Sequence, residues 1–248
     1  MVKVLGINAS PRKYGGTFSL LRASLEGVKS VGGHTEVIHL YDYDIKPCLG
    51  CLCDEQKACR YPCVIEDDMR VLYDKVLEAD ALIFATPIYW FAPSGVMKNF
   101  IDRLTALENM IVIEGRSWLE GKVAGIIAVG NDSGVIQTLS TLAMTLVAMG
   151  FMIPPFAIAY FNRMQSVLED EETLQDAVNV GRGVALLAQM VRKDIVWYKR
   201  LDVQEIGRVR KLILEETTRL ANEQTPVRRK YIDKGLRLGS KSARERSL

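Results

Sequence analysis

Five short apolar runs, at residues 2–7, 34–40, 81–85, 122–129 and 151–161, alternate with segments of helical periodicity, and this alternation constrains the fold most. The third run, Ala81-Leu82-Ile83-Phe84-Ala85, contains no polar residue, as is typical of strands buried on both faces of a parallel sheet. The fifth is interrupted by Pro154-Pro155. Helices are predicted over residues 18–30, 68–79, 95–107, 135–149 and 169–198, with one more over 203–223 that the sheet does not require. Strands alternating with helices imply right-handed crossovers and parallel pairing. The expected fold class is α/β: a doubly wound five-stranded parallel sheet with a C-terminal helical extension. Residues 1–200 would form that domain, and residues 201–248 a helix and basic tail.

In such a sheet ligands gather outside the carboxyl ends of the strands, so the loops after the first four runs are expected along one edge. The first loop reads Asn8-Ala9-Ser10-Pro11-Arg12-Lys13-Tyr14-Gly15-Gly16-Thr17 and opens a helix at Phe18-Ser19. A strand-to-helix loop offers an anion its unpaired N–H groups and the positive end of the helix dipole. This one adds the hydroxyls of Ser10, Thr17 and Ser19 and the charges of Arg12 and Lys13. It lacks the Lys-Ser/Thr ending of a nucleoside triphosphate loop and the G-x-G-x-x-G of a dinucleotide fold. A monophosphate site and an ordinary capped connection remain as the two readings.

The loop after the third run is Thr86-Pro87-Ile88-Tyr89-Trp90-Phe91-Ala92-Pro93-Ser94, with three consecutive aromatics between prolines. Leaving such rings in water is costly, and a flat ligand ring lying against them removes that cost. The three motifs N-A-S-P-R-K-x-G-G-T, T-P-I-Y-W-F-A-P-S-G and K-N-F-I-D-R (Lys98 to Arg103) together resemble the flavodoxin-like NADPH-dependent FMN reductase superfamily. The resemblance covers roughly residues 1–165. It implies a flavodoxin-like fold, FMN as cofactor and a flavin-dependent oxidoreductase activity. It also implies that Ser10, Arg12, Gly16, Thr17, Phe18 and Ser19 hold the FMN phosphate. Pro87, Ile88, Tyr89, Trp90 and Phe91 would pack on the isoalloxazine, and Gly130, Asn131 and Asp132, continuing to Ser133, would border it from the other side. Lys98, Asp102 and Arg103 suit helix or interface roles better than catalysis.

All five cysteines, Cys48, Cys51, Cys53, Cys59 and Cys63, fall within sixteen residues of the second-strand connection. Thiolates at such spacing suit a [4Fe–4S] cluster or a Cys₄ zinc site. The segment P-C-x-x-C…C-V-I-x-D-D-M resembles the iron–sulfur flavoprotein branch of the superfamily, in which a compact cysteine motif binds a [4Fe–4S] cluster. Asp54 stands where the third cysteine of that motif would fall, and Cys53 is one residue early. Cys48, Cys51 and Cys63 therefore transfer directly. The fourth ligand is Cys53 or Cys59, with Cys59 favoured because C-x₂-C and C-x₃-C pairs straddle a cluster with less backbone strain. Such a cluster is expected to pass electrons to FMN, because the second-strand loop would lie on the flavin's edge of the sheet.

Other chemistry has little to draw on. The only histidines, His34 and His39, sit in the second run and read as plain strand residues. Glu66-Asp67-Asp68 reads as negative charge at a helix N-terminus. Residues 226–248 hold eight Lys/Arg against two acids in a chain of net charge +2; a solvated terminus is the preferred reading, with nucleic acid disfavoured. No apolar run nears the ~18 residues of a membrane helix, and Met1 leads straight into a strand with no signal-peptide cleavage site. A cytoplasmic protein with no membrane partner is expected. The family resemblance implies a homodimer or homotetramer, with NAD(P)H, a ferredoxin-like redox protein or a small-molecule acceptor as partners. A cluster-free NAD(P)H-dependent FMN or quinone reductase is the alternative function.

Overall fold

The computed structural model describes residues 1–191, 195–199 and 201–245, with side chains described through Arg237 of the last segment. Arg192, Lys193 and Asp194 of the predicted 169–198 helix lie outside the described residues, as do Arg246 and the side chains of Lys241 and Arg244 in the basic tail. In chain order the elements are β1 (Lys3–Asn8), α1 (Gly16–Lys29), β2 (His34–His39), α2 (Cys51–Asp54), α3 (Met69–Glu78) and β3 (Ala81–Tyr89). There follow β4 (Ala92–Pro93), α4 (Gly95–Glu108), α5 (Met110–Glu114), β5 (Val123–Gly130), α6 (Val135–Ala148), β6 (Ile158–Asn162), α7 (Glu171–Met190) and α8 (Val203–Glu245). The chain separates into two compact units, Met1–Tyr198 and Lys199–Leu248. Among the described residues no helix is long and apolar enough to cross a membrane.

The parallel strands lie in the order β2-β1-β3-β5-β6, so strand order reverses between β1 and β3. That is the flavodoxin-like order, with its switch point at the carboxyl ends of β1 and β3. Alternate side chains feed two cores. Leu5, Ile7, Leu82, Phe84, Ala124 and Ile126 pack with α3, α4 and α6, while Val4, Ile83, Val123 and Ile127 pack with α1 and α7. Gly125 lets α7 settle on the second face, since a Cβ there would stand 2.8 Å from Val180 Cγ1.

Four elements differ from the sequence expectation, each for a local reason. The third strand continues to Tyr89 and reverses through Trp90 and Phe91, both at positive φ (49° and 65°), into the short antiparallel β4. Residues 86–94 are therefore a hairpin and not an open loop. Thr86 holds it, its Oγ1 accepting from Ser94 N at 3.0 Å, while Ser94 Oγ donates to Ala9 O at 2.9 Å. The fifth strand begins at Ile158: Pro154 and Pro155 have no N–H for a ladder, and upstream only Met152 bridges to Val123. Helix α7 ends at Met190, short of Tyr198. Helix α8 passes through Pro226 to Glu245 and does not stop at residue 223. Ion pairs one turn apart, Arg219–Glu223 (2.8 Å) and Arg229–Asp233 (3.2 Å), flank that proline and offset part of its cost.

The closest helix contact is between α1 and α7, where backbones meet at Gly27 and Gly181. A Cβ on Gly181 would lie 1.7 Å from Ser24 O, and one on Gly27 2.0 Å from Val178 O. Neither acceptor is the flexible end of a side chain, so the helices must separate to admit a methyl group. Gly181→Ala is expected to destabilise the protein by roughly 3 kcal/mol, the upper end for overpacking. Gly207→Ala, with nothing within 4 Å of the added atom, should be neutral or slightly stabilising. Thermal unfolding followed by circular dichroism separates the two.

Candidate functional site

At the carboxyl edge of the sheet the loops after β1, β3, β5 and β6 enclose a cavity of about 490 Å³, within the usual range of small-molecule sites. The first loop is shaped by its own side chains. Asn8 Oδ1 accepts from Ser10 N (3.2 Å), Ser10 Oγ accepts from Arg12 N (3.2 Å), and Arg12 O accepts from Gly15 N (3.2 Å). Gly15 is the N-cap of α1 and has no side chain to offer its first turn. The N–H groups of that turn are thus left for a ligand, at the positive end of the helix dipole. Arg12 and Arg163 are the charged side chains lining the cavity, and Arg163 is paired behind it with Asp170, Nη1 to Oδ2 at 2.8 Å. A phosphate monoester suits this end chemically.

Of the residues expected here, Ser10, Arg12, Gly16, Thr17, Ser19, Pro87, Ile88, Tyr89, Gly130 and Asn131 line the cavity. Phe18 does not; its ring packs on His39, with centroids 5.0 Å apart. Asp132 is exposed outside the lining. Nor do Trp90 and Phe91 line it: the positive-φ turn carries Trp90 into solvent, 92% exposed, and only Tyr89 of the three aromatics remains at the wall. The same turn is braced from the N-cap of α6, because a Cβ on Gly134 would stand 2.6 Å from Phe91 Cα. Sequence reasoning missed residues 163–168, which close the cavity after β6. Their place at the carboxyl end of a strand was the available signal, hidden by the uncertain reading of the Pro154-Pro155 region.

A second cavity, of about 20 Å³, lies beside α4. Cys48, Cys51, Cys59 and Cys63 line it together with Arg60, Asp102 and Arg103. Cys53, at the exposed side of α2, does not line it. Gly50, in the left-handed region at φ 71°, turns the chain between Cys48 and Cys51, and its N–H points to Cys48 Sγ at 3.4 Å. Burial pushes the Cys59 thiol up to about 11, with nearby Cys48, Cys63 and Cys51 acting in the same direction. Among the described residues no three His, Cys, Asp or Glu side chains come close enough to hold one metal ion.

Helix α4 is the frame of this cavity. Arg103, 1% exposed, grips Asp67, 0% exposed, through Nη1 (2.5 Å) and Nη2 (3.1 Å). Its Nη1 also donates to Lys46 O at 3.0 Å. Asp67 Oδ2 accepts from Lys46 N at 2.9 Å, and Asp68 Oδ2 from Asp44 N at 2.7 Å. Asn109 Nδ2 donates to Gln56 O (2.7 Å) and Cys59 O (2.6 Å). Both ends and the middle of the cysteine loop are thereby tied to one helix. Asp67 and Asp68 mainly close the loop; of the two, only Asp67 also serves the first turn of α3, accepting from Met69 N at 3.1 Å.

The two cavities share no lining residue. Arg103 lies eight residues beyond Gly95, where α4 starts, which is about 12 Å along the helix axis. The cysteine loop thus leaves the sheet's carboxyl edge and runs down the outside of α4, contrary to the expectation that it stays on the flavin's edge.

Comparison with known proteins agrees with this geometry. Residues 2–163 match the NADPH-dependent FMN reductase family. An iron–sulfur flavoprotein of Methanocaldococcus jannaschii is 30% identical over 203 residues, covering 77% of this chain and 100% of that protein. One from Archaeoglobus fulgidus is 43% identical over 103 residues, which are 41% of this chain and 48% of that protein. Among solved structures, RosB with bound 8-demethyl-8-formylriboflavin-5'-phosphate shares the fold, with a TM-score of 0.65 at 22% identity over 82% of this chain and 92% of RosB. The chain belongs to the NADPH-dependent FMN reductase family, on the branch represented by iron–sulfur flavoproteins. It is a flavin-dependent oxidoreductase.

The buried ion pair makes stability pH-dependent. Burial pushes the Asp67 carboxyl up, but the Arg103 guanidinium and the N–H groups of Lys46 and Met69 outweigh it, and the net shift is downward. A depressed folded-state value means stabilisation present above the ordinary carboxylate range and lost as pH falls through the folded value. Asp67→Asn should cost about 3–5 kcal/mol at pH 7, as expected when one partner of a buried pair is removed, and should flatten the acid limb. Urea unfolding at pH 7 and pH 3 measures both effects.

Proposed function

We propose that this oxidoreductase holds FMN at the sheet edge and a [4Fe–4S] cluster in the thiol cavity, moving electrons between a donor, the cluster, the flavin and an acceptor. The observation that carries the cluster is the convergence of a C-x₂-C and a C-x₃-C pair, Cys48/Cys51 and Cys59/Cys63, on one cavity. A zinc ion needs four sulfurs about 2.3 Å from a single centre, whereas a cubane takes one thiolate per iron and accepts a wider ring. When bound, the flavin supplies hydride and one-electron chemistry, and the cluster one-electron transfer.

The chain's own residues supply the binding. The first turn of α1, the Ser10, Thr17 and Ser19 hydroxyls and the Arg12 guanidinium would hold the phosphate. The strand end Pro87-Ile88-Tyr89 would lie along the flavin ring, with Gly130 and Asn131 bordering it from the other side and residues 163–168 covering it. Cys48, Cys51, Cys59 and Cys63 would ligate the cluster. We further propose NAD(P)H or a ferredoxin-like protein as donor, a small-molecule acceptor, and a homodimer or homotetramer. Solvent-exposed Trp90, Ile136 and Met144 support such association. The second reading, a cluster-free NAD(P)H-dependent FMN or quinone reductase, draws on the absence of any preformed metal-binding group among the described residues.

The test is the iron content and visible spectrum of oxygen-protected protein. Wild type and Cys53→Ser should both show broad absorption near ~400 nm above the flavin bands and about four irons per chain. Cys59→Ser should lose most of that iron while keeping FMN. Flavin bands alone after anaerobic reconstitution, or equal iron loss in Cys53→Ser and Cys59→Ser, would contradict the assignment.

A further inference from the structure

Arg103 carries five N–H donors in a fixed fork. Four are committed: Nη1 to Lys46 O and Asp67 Oδ2, and Nη2 to Ile65 O (3.5 Å) and Asp67 Oδ1. The fifth, Nε–H, is buried and has no partner. A buried donor left unpaired is costly, and nearly all such groups in folded proteins are satisfied by protein, water or a bound group. Arg103 and Cys63 line the same thiol cavity. The fork cannot rotate Nε away, because the bidentate grip on Asp67 fixes its plane.

We propose that Arg103 is a positioning residue for the cluster: its Nε–H donates to a sulfur of the bound [4Fe–4S] group, at a Cys63 thiolate or an inorganic sulfide. The inference rests on the cluster reading above and adds a function to the residue that frames the loop. The ion pair with Asp67 holds the guanidinium in place and leaves one buried donor uncommitted on a residue that lines the thiol cavity. On reduction the cluster gains one electron and no proton, so its sulfurs become better acceptors. A donor and a cation beside them stabilise the reduced form and raise the potential. Lysine keeps the charge but lacks a planar fork, and it cannot serve Asp67 bidentately and a sulfur together.

The experiment uses wild-type holoprotein grown with [¹⁵Nε]arginine and reduced by dithionite through mediators. Pulsed electron paramagnetic resonance should show a ¹⁵N hyperfine coupling to the reduced cluster. The coupling should survive in Arg60→Lys, which replaces the other arginine lining the cavity, and vanish in Arg103→Lys. In a redox titration Arg103→Lys should lower the equilibrium constant for reduction about tenfold, ~59 mV for a one-electron couple. A wild-type protein with the signal of a reduced cluster and no ¹⁵N coupling overturns the assignment, whether or not Arg103→Lys folds. A protein that takes up no iron and gives no cluster signal overturns the cluster reading, and the role of Arg103 falls with it.

Discussion

The buried pair between Arg103 and Asp67 is the interaction on which the unusual half of this molecule depends. A long connection between β2 and α3 has little reason to be ordered, since it contributes few residues to either core. Chain entropy opposes its ordering at about 1–2 kcal/mol per residue. The guanidinium offsets part of that cost by gathering carbonyls and a carboxylate from both ends of the loop, at Lys46, Ile65 and Asp67. Asn109, the C-cap of α4, fixes the middle at Gln56 and Cys59. Four thiols then share a cavity because the loop is stitched along α4.

The flavin edge is built on different physics. There the sheet does the positioning: β1, β3, β5 and β6 bring their carboxyl ends to one edge, and strand order reverses between β1 and β3. Hydroxyl and backbone groups, mostly uncharged, shape the loops, with Thr86 and Ser94 bonding the third-strand hairpin back to Ala9. Arg12 brings positive charge to the cavity, and Arg163, paired with Asp170, closes it after β6. The molecule thus combines a rigid sheet-edge site with a site stitched from a loop onto a helix, and the common element is α4, which begins beside the first and frames the second.

Much of this was legible in the sequence. The alternation of apolar runs gave the parallel sheet, and the N-A-S-P-R-K-x-G-G-T loop falls at the cavity as its composition implied. Cys59 lines the thiol cavity and Cys53 does not. What the sequence hid was long-range. Arg103 reads as an ordinary helix residue until the fold brings Asp67 to it from 36 positions away. The loop's path along α4 depends on that pairing, so a local reading kept the cysteines at the sheet edge. Trp90 and Phe91 read as a platform because composition does not report φ; two consecutive left-handed residues turn Trp90 to solvent. Gly27 and Gly181 carried no local signal, being unremarkable glycines until two helices meet at them.

The central claim is that four thiols on one cavity, held by α4, take a cubane and not a single ion. Mössbauer spectroscopy of protein reconstituted anaerobically with ⁵⁷Fe tests it most directly. The account predicts one population of four coupled iron sites with mixed valence, present alongside bound FMN. A mononuclear tetrathiolate iron spectrum, or iron bound only adventitiously, would contradict it.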